Sequence, residues 1–265
     1  DFQPRPARLI KQQEPTYTLL HELRLRGVAA ALEEQQGIPD IQELAFHDRL
    51  VLLLEREKTD RENRRYQRLL GRARLRLDGT IEDLDFRSAR GLDRSLVLRL
   101  ASCEWIHEGQ TVLLTGPTGS GKSYLACALG HQACRHGLST RYYRLSNLLE
   151  EIEIARRDGS RHRLLGRLRR LKLLIVDDWG LASLDNAGRH DLLEVLDDRY
   201  ARKGTLFTSQ VPPDHWHEIV GDPTFGDAIL DRLLYNAHKI TLPGGSMRRV
   251  YDSTKGGEST TKKTP

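Results

Sequence analysis

Two rhythms of apolar and polar positions divide the chain. From Tyr17 to about Gly79 the apolar residues recur at helical spacing. Leu19, Leu23 and Leu25 stand near Ala29 and Leu32, and Gly37-Ile38-Pro39 breaks the run. A second run takes Phe46, Leu50, Leu53 and Leu54 on through Tyr66, Leu69, Leu70 and Ala73. One apolar stripe per helix predicts a small all-helical unit over residues 1–79. Its first fifteen residues, polar and proline-bearing, are expected to form an arm with little structure of its own. Residues 80–91 follow as a linker, opened by the short acidic stretch TIEDLDF, which is expected to be extended. A helix is expected over 92–106, and from Gln110 the rhythm changes to short apolar runs. Strands are predicted at 111–115, 140–144, 173–176, 206–208 and 239–242. Helices are predicted between them at 122–136 (closed by Gly137), 146–157 (with Ser146 as N-cap), 187–202 (stopped by Gly204) and 225–236. Strands that alternate with helices predict an α/β fold, a doubly wound parallel five-stranded sheet with helices on both faces. The main domain is expected over 92–251. Residues 252–265 have the composition of a basic flexible tail.

Composition narrows the setting. The longest apolar runs, 51–54 and 173–176, are far too short to cross a bilayer, so no membrane partner is expected. No basic-apolar-small signal pattern opens the sequence. Cys103, Cys127 and Cys134 make no CxxC pair and no even framework. They suit a reducing compartment, and a cytoplasmic location is expected. The net charge of +5 is unevenly spread. Residues 49–76 hold ten Lys/Arg against four Asp/Glu, and residues 156–172 hold eight against one. Concentrated basic segments point either to a polyanion such as nucleic acid or to solvated helix faces.

The candidate chemistry starts at Gly116-Pro117-Thr118-Gly119-Ser120-Gly121-Lys122-Ser123, which fits GxxxxGK[ST] in full between a predicted strand and a predicted helix, with Tyr124 next. Glycines at those positions let backbone N–H groups converge on phosphate oxygens, and the helix N-terminus adds favourable dipole charge. Lys122 can reach the β- and γ-phosphates, and the Ser123 hydroxyl can ligate Mg²⁺. ATP with Mg²⁺ is the expected cofactor. The run Leu173-Leu-Ile-Val-Asp177-Asp178 reads as the strand that supplies the metal carboxylate, Asp177, and a second carboxylate, Asp178, to orient or polarise an attacking water. In a doubly wound sheet the strand ends that follow 206–208 face the same crevice, so Ser209 or Gln210 is a candidate γ-phosphate sensor, and an ordinary polar strand end is the plainer reading. His215-Trp-His217 lacks further ligands and is read as packing, not metal binding.

GPTGSGKS, LLIVDDWG, TLFTSQVPPDHWHE and DAILDRLLYNAHKITLPGGSMRR, in that order, resemble the AAA+ ATPases of the IstB/DnaC group, and most of all the IstB-type transposition helpers of bacterial insertion sequences. The likeness runs from about residue 17 to residue 251. It implies a P-loop AAA+ domain without a full C-terminal lid, because only a short tail follows Leu242. It implies an arginine finger at Arg232, reaching a neighbouring subunit's γ-phosphate in a head-to-tail homo-oligomer, ring or filament. Arg248 would act as a second sensor. Many such ATPases carry Glu where Asp178 stands. Aspartate is one methylene shorter, so slow turnover is expected, with ATP serving chiefly as a switch. The implied activity is an ATPase that assembles on and remodels target DNA and recruits a partner transposase, which performs the strand transfer.

The segment 156–172 lies between the second and third predicted strands, where AAA+ initiator-like proteins contact DNA. Arg156, Arg157, Arg161, Arg163, Arg167, Arg169, Arg170 and Lys172 suit phosphate contacts, which position a duplex without reading its sequence. Largely non-specific binding of double-stranded DNA is expected. The basic face over Arg61–Arg76 fits DNA contact and partner docking equally. The rival reading of the whole chain is a DnaC-like helicase loader working on single-stranded DNA, and scarce aromatics near the basic segments weigh against base stacking. A small-molecule kinase would need an acceptor pocket that nothing in the sequence resembles.

Overall fold

In the computed structural model, residues 7–86, 92–181 and 184–243 are described, with side chains from Pro15 onward. The chain divides into two compact units, Asp1–Arg68 and Leu69–Pro265. The first contains α1 (Ala7–Glu22), α2 (Arg26–Gln36), a 3₁₀ turn at Ile41–Glu43 and most of α3 (Phe46–Ala73). The stretch from Ala7 to Pro15 is thus helical, against the expectation of an unstructured arm. Its Ala, Leu, Lys, Gln and Glu are strong helix formers and outweigh the single bond that Pro15 removes. Part of the basic face of α3 is spent on structure. Glu57 is buried, and its Oε2 accepts from the N–H groups of Gly27 (2.7 Å) and Val28 (3.3 Å) at the start of α2. Arg61 and Arg64 close on its other oxygen at 2.6 and 3.4 Å. Burial pushes the carboxyl pKa up, but these partners outweigh it and hold Glu57 below the usual range. Much of the predicted apolar stripe stays open: Leu19, Leu23, Phe46 and Leu54 are more than half exposed. A unit this small covers only short side chains such as Val28, Ala29 and Ala31.

The second unit is the expected sheet. Its elements run α4 (Arg94–Ala101), α5 (Glu104–His107), β1 (Thr111–Thr115), α6 (Lys122–Arg135), β2 (Thr140–Arg144), α7 (Leu145–Arg157), α8 (Arg161–Arg170), β3 (Leu173–Trp179), α9 (Asn186–Arg199), β4 (Gly204–Ser209), α10 (Trp216–Val220), α11 (Pro223–Leu234) and β5 (Ala237–Thr241). The five strands pair in parallel in the order β2-β3-β4-β1-β5. Alternation along β1 shows why the sheet needs two covers. Val112 and Leu114 pack with Leu125 and Leu129 of α6 on one face, while Leu113 joins Phe207, Trp179 and Trp216 on the other.

Several boundaries differ from expectation for local reasons. The helix expected over 92–106 breaks into α4 and α5 because Cys103 takes a left-handed φ of 62°. Asp93 caps α4 by accepting from the Ser95 N–H. The N-cap position of α7 is Arg144, without a side-chain cap bond, and Ser146 already lies within the helix. Asp185 starts α9, which ends at Arg199, before Ala201 turns to a φ of 52°. Gly204 therefore opens β4 instead of stopping a helix. A Cβ there would stand 2.9 Å from the Ile106 Cα, so only glycine fits. The stretch expected as an extended connector instead turns at Thr80–Asp83 and buries Ile81 and Leu84 in the core. Among the described residues no helix is long and apolar enough to cross a membrane.

Arg199 ties α8 to the sheet. It is buried and meets no carboxylate, yet it donates to the carbonyls of Leu168 (2.8 Å), Leu171 (3.1 Å) and Gly204, and to the Thr205 hydroxyl (3.1 Å). Burial pulls its pKa down to about 9, which still leaves a cation at neutral pH. A positive charge at the C-terminal carbonyls of α8 complements the helix dipole. Arg199→Met removes four hydrogen bonds from a buried site, and denaturant unfolding should record a loss of about 3 kcal/mol. Gly166 lies inside α8, and an added methyl there meets nothing within 4 Å. Gly166→Ala should gain about 0.5–1 kcal/mol in the same measurement.

Candidate functional site

The crevice forms where the strand order turns back on itself, at the C-terminal ends of β1, β3 and β4. After Thr115 the chain enters Gly116–Ser123 with Gly116, Gly119 and Gly121 at φ of 145°, 83° and 97°. A Cβ on Gly116 would lie 2.3 Å from the Leu242 carbonyl oxygen, so the loop closes only with glycine there. Gly121 occupies the N-cap of α6 and offers no side-chain acceptor, which leaves the first N–H groups of that helix for an anion. Ser120 Oγ is buried without a hydrogen-bond partner beside them. Lys122 Nζ donates to the carbonyls of Gly116 and Pro117, both at 2.8 Å. Burial lowers its pKa against the opposing pull of Asp177 and Asp178. Thr118 Oγ1 donates to Gln210 Oε1 at 2.5 Å and so ties the loop to the end of β4. Tyr124 packs its ring against Gly79.

Asp177 is wholly buried at the end of β3. Its Oδ1 accepts from Ser123 Oγ at 3.0 Å and from Thr208 Oγ1, and its Oδ2 accepts from the Tyr142 hydroxyl. Arg76 Nη1 stands 3.7 Å from Oδ2. A carboxylate this deep persists only when it is compensated in that way. The Ser123 and Asp177 oxygens form a hard donor pair suited to Mg²⁺, which takes one or two protein oxygens and completes its shell with phosphate and water.

Asp178 adopts a φ of 65°, at an irregularity between Val176 and Trp179 in the β3–β4 pairing. Its N–H donates to Thr208 Oγ1 at 3.2 Å, and its Oδ2 stands 3.6 Å from Arg144 Nε. Burial first, and then the Asp177 charge, raise its pKa against the pull of Arg144, Arg76 and Lys122.

Other predicted residues sit elsewhere. Ser209 is buried, donating to the Trp179 carbonyl (2.9 Å) and accepting from the Val211 N–H (3.0 Å). Its hydroxyl is committed to backbone, so of the two candidate sensors only Gln210 reaches the phosphate loop with its side chain, while the Ser209 carbonyl accepts from the Gly116 N–H at 3.2 Å. Arg232, on α11, donates to Asp197 and to the Ala228 carbonyl. It lines a recess with Thr111 and Thr205, at the N-terminal ends of β1 and β4, whereas Lys122 lies beyond their C-terminal ends. Arg248 lies outside the described residues.

Sequence reasoning missed Arg76, Tyr142 and Thr208, the remaining partners of Asp177. For Tyr142 and Thr208 the signal was available only through strand order, since β2 and β4 flank β3, and Arg76 lies on no strand. Of the basic segment, Arg156 pairs with Glu153 and Asp191, and Arg161 with Asp191 and Glu194. Arg157 pairs with Glu153 at 3.0 Å, and Arg167 stands 3.5 Å from Glu151. Arg163, Arg169 and Arg170 on α8, and Lys172 before β3, make no ion pair among the described residues. The predicted helix break at Asp158-Gly159 separates α7 from α8.

Comparison with known proteins agrees with this geometry. The model of the family of IstB-like ATP binding proteins matches residues 18–254. A Sinorhizobium fredii chain named as an insertion sequence ATP-binding protein, y4pL, is 47% identical over 235 residues, covering 89% of this chain and 96% of its own. A Pseudomonas fluorescens chain, named as the ATP-binding protein of insertion sequence IS1162, is 51% identical over 198 residues, covering 74% and 86%. Among solved structures, DnaI superposes with a TM-score of 0.54 at 20% identity (66% of this chain, 93% of that one), and the DnaC helicase loader with 0.53 at 16% (62% and 97%). Those likenesses establish the P-loop AAA+ fold. With a full phosphate-binding loop, a buried metal-type carboxylate in hydrogen-bond contact with it, and a family match over most of its length, the chain belongs to the IstB-like ATP-binding proteins.

Proposed function

We propose that the protein is an ATP-hydrolysing switch that assembles head to tail on double-stranded DNA, remodels it and recruits a partner transposase in the cytoplasm. The observation that carries the nucleotide half is the hydrogen bond from Ser123 to buried Asp177 at the mouth of the glycine loop. In this reading the loop N–H groups and Lys122 hold the phosphates of ATP, and Ser123 and Asp177 hold Mg²⁺. The bound metal neutralises developing phosphoryl charge. Asp178 orients the attacking water, and Gln210 reports on the γ-phosphate from the end of β4. Arg248 completes the contacts as a second sensor.

Assembly follows from where the charges sit. Lys122 and Arg232 occupy opposite ends of the sheet, so one chain cannot bring both to one triphosphate, while two copies stacked head to tail can. DNA contact is assigned to α8 and the residue after it, where Arg163, Arg169, Arg170 and Lys172 remain for phosphates. Arg156, Arg157, Arg161 and Arg167 chiefly brace α7, α8 and α9 through their carboxylate partners. The insertion-sequence names of the relatives support a transposase as partner.

Two experiments test this. Lys122→Ala and Arg232→Ala should each lower DNA-stimulated hydrolysis by about 10³ or more. Mixed in equal amounts, they should recover about one quarter of wild-type turnover, because random head-to-tail contacts pair an intact Lys122 with an intact Arg232 in that share. No recovery on mixing would place the finger in the wrong residue. Asp178→Asn should abolish single-turnover hydrolysis yet stabilise the fold. The raised pKa of Asp178 means that its charge costs stability as pH climbs through its folded-state value, and asparagine tolerates the left-handed φ. At pH 7 its melting temperature should rise by about 2 °C, with the gain shrinking as pH falls through the raised folded-state value of the native aspartate.

A further inference from the structure

Beside the edge strand β2 lies a groove of about 330 Å³ whose lining includes Arg74, Arg76, Arg141, Arg144, Asn147 and Glu151. Four guanidinium groups thus share one concave surface with a single carboxylate of their own. Glu151 is itself drawn on by Arg167 at 3.5 Å and by the Tyr143 hydroxyl. Arg76 and Arg144 lean toward Asp177 and Asp178 at 3.7 and 3.6 Å. The other two are uncommitted to any acid. Arg74 is exposed and makes no ion pair among the described residues. Arg141 lies over the Tyr143 ring, 5.0 Å from its centroid, and gives one N–H to the Arg72 carbonyl, but its Nε is buried without a partner. The two arginines without a carboxylate leave N–H donors to the groove, and planar guanidinium forks match phosphate oxygens.

The position of the groove selects the anion. Asn147 and Glu151 belong to α7, and the Arg167–Glu151 contact brings Arg167 of α8 to the groove's rim. The groove with Arg74 and Arg141 is thus linked through Glu151 to the helix that also carries Arg163, Arg169 and Arg170. A polymer with a charge at every step uses cations on both elements, whereas a lone small anion does not. Both tyrosines of β2 are buried, so the groove grips backbone and stacks no base.

We infer that the β2 groove is a second seat for a nucleic-acid backbone, in which Arg74 and Arg141 hold phosphodiester oxygens. This rests on the DNA-binding reading above and adds a site to it that lies outside residues 156–172. The test uses the full chain with ATP, a 30-base-pair duplex and the matching single strand, over a salt series. Arg74→Gln alone should reduce the magnitude of the slope of log K against log salt by about 0.9 on the duplex, or about 0.7 on the single strand. Arg74→Gln with Arg141→Gln should reduce it about twice as far. A drop in either arm supports the seat and names the strand form it takes. The KM for ATP without DNA should stay at the wild-type value. Arg163→Gln with Arg169→Gln and Arg170→Gln serves as the comparison for α8. An unchanged slope in both groove variants, while the α8 variant loses its own, overturns the groove and leaves the DNA reading standing. A changed KM for ATP without DNA also overturns it, by assigning the groove to the nucleotide. Wild-type protein that binds neither oligonucleotide sinks both. Arg74 has no ion-pair or hydrogen-bond partner for its side chain among the described residues, so the single variant keeps the test independent of folding.

Discussion

The burial of Asp177 organises the nucleotide domain. A carboxylate with no exposed surface is tolerated only if the chain surrounds it with donors, and here they come from four separate segments. Ser123 arrives from the phosphate loop, Thr208 from β4, Tyr142 from β2, and Arg76 from the segment after α3. Each can reach the carboxylate only when β2, β3 and β4 lie side by side with their C-terminal ends level, so the fold and the charge require each other. Thr208 shows how economical the arrangement is: its hydroxyl donates to Asp177 and accepts from the Asp178 N–H. One side chain thereby sets both the buried carboxylate and the backbone turn at its neighbour.

That turn exposes a conflict between stability and chemistry. Asp178 stands beside another carboxylate, partly buried, in a backbone region that most residues avoid. Packing alone would favour a neutral group. The nearby cations Arg144, Arg76 and Lys122 limit the cost of a charged one without abolishing it, and the water-polarising role proposed for Asp178 needs that charge. The same compromise marks Lys122, whose burial lowers its pKa although two carboxylates lie near.

Much of this was legible in the sequence. The strands at β1 and β2 were read to the residue, because alternating short apolar runs bounded by Gly, Thr and Arg have few other solutions. The phosphate loop was read from its glycines, each needed at a backbone angle that other residues resist. The failures share one cause: they depend on what lies next in space. Gly204 looks like a helix stop in one dimension and is in fact a strand start pressed against Ile106. Ser209 looks like a free polar strand end, and the bulge at Asp178 turns its hydroxyl onto the Trp179 carbonyl. Arg76 and Tyr142 carry no motif at all: the pairing of β2 with β3 brings Tyr142 to Asp177, and Arg76 arrives from the segment after α3. The N-terminal helices were found, but their apolar residues gave no sign of which would be covered.

Counting arginines misled in an instructive way. Residues 156–172 read as one basic surface, yet Asp191, buried on α9, takes both Arg156 and Arg161, and Glu153 takes Arg157. The Asp191 pairs weld α7, α8 and α9 together, and Arg199 holds the C-terminal carbonyls of α8. The charges that remain for a polyanion are therefore fewer than the sequence advertises, but they stand on a braced platform. A rigid array binds phosphates without first paying to order its own side chains and helices. Four of the seven arginines in 156–172 are held by carboxylates, and those carboxylates set how much charge the other three and Lys172 present.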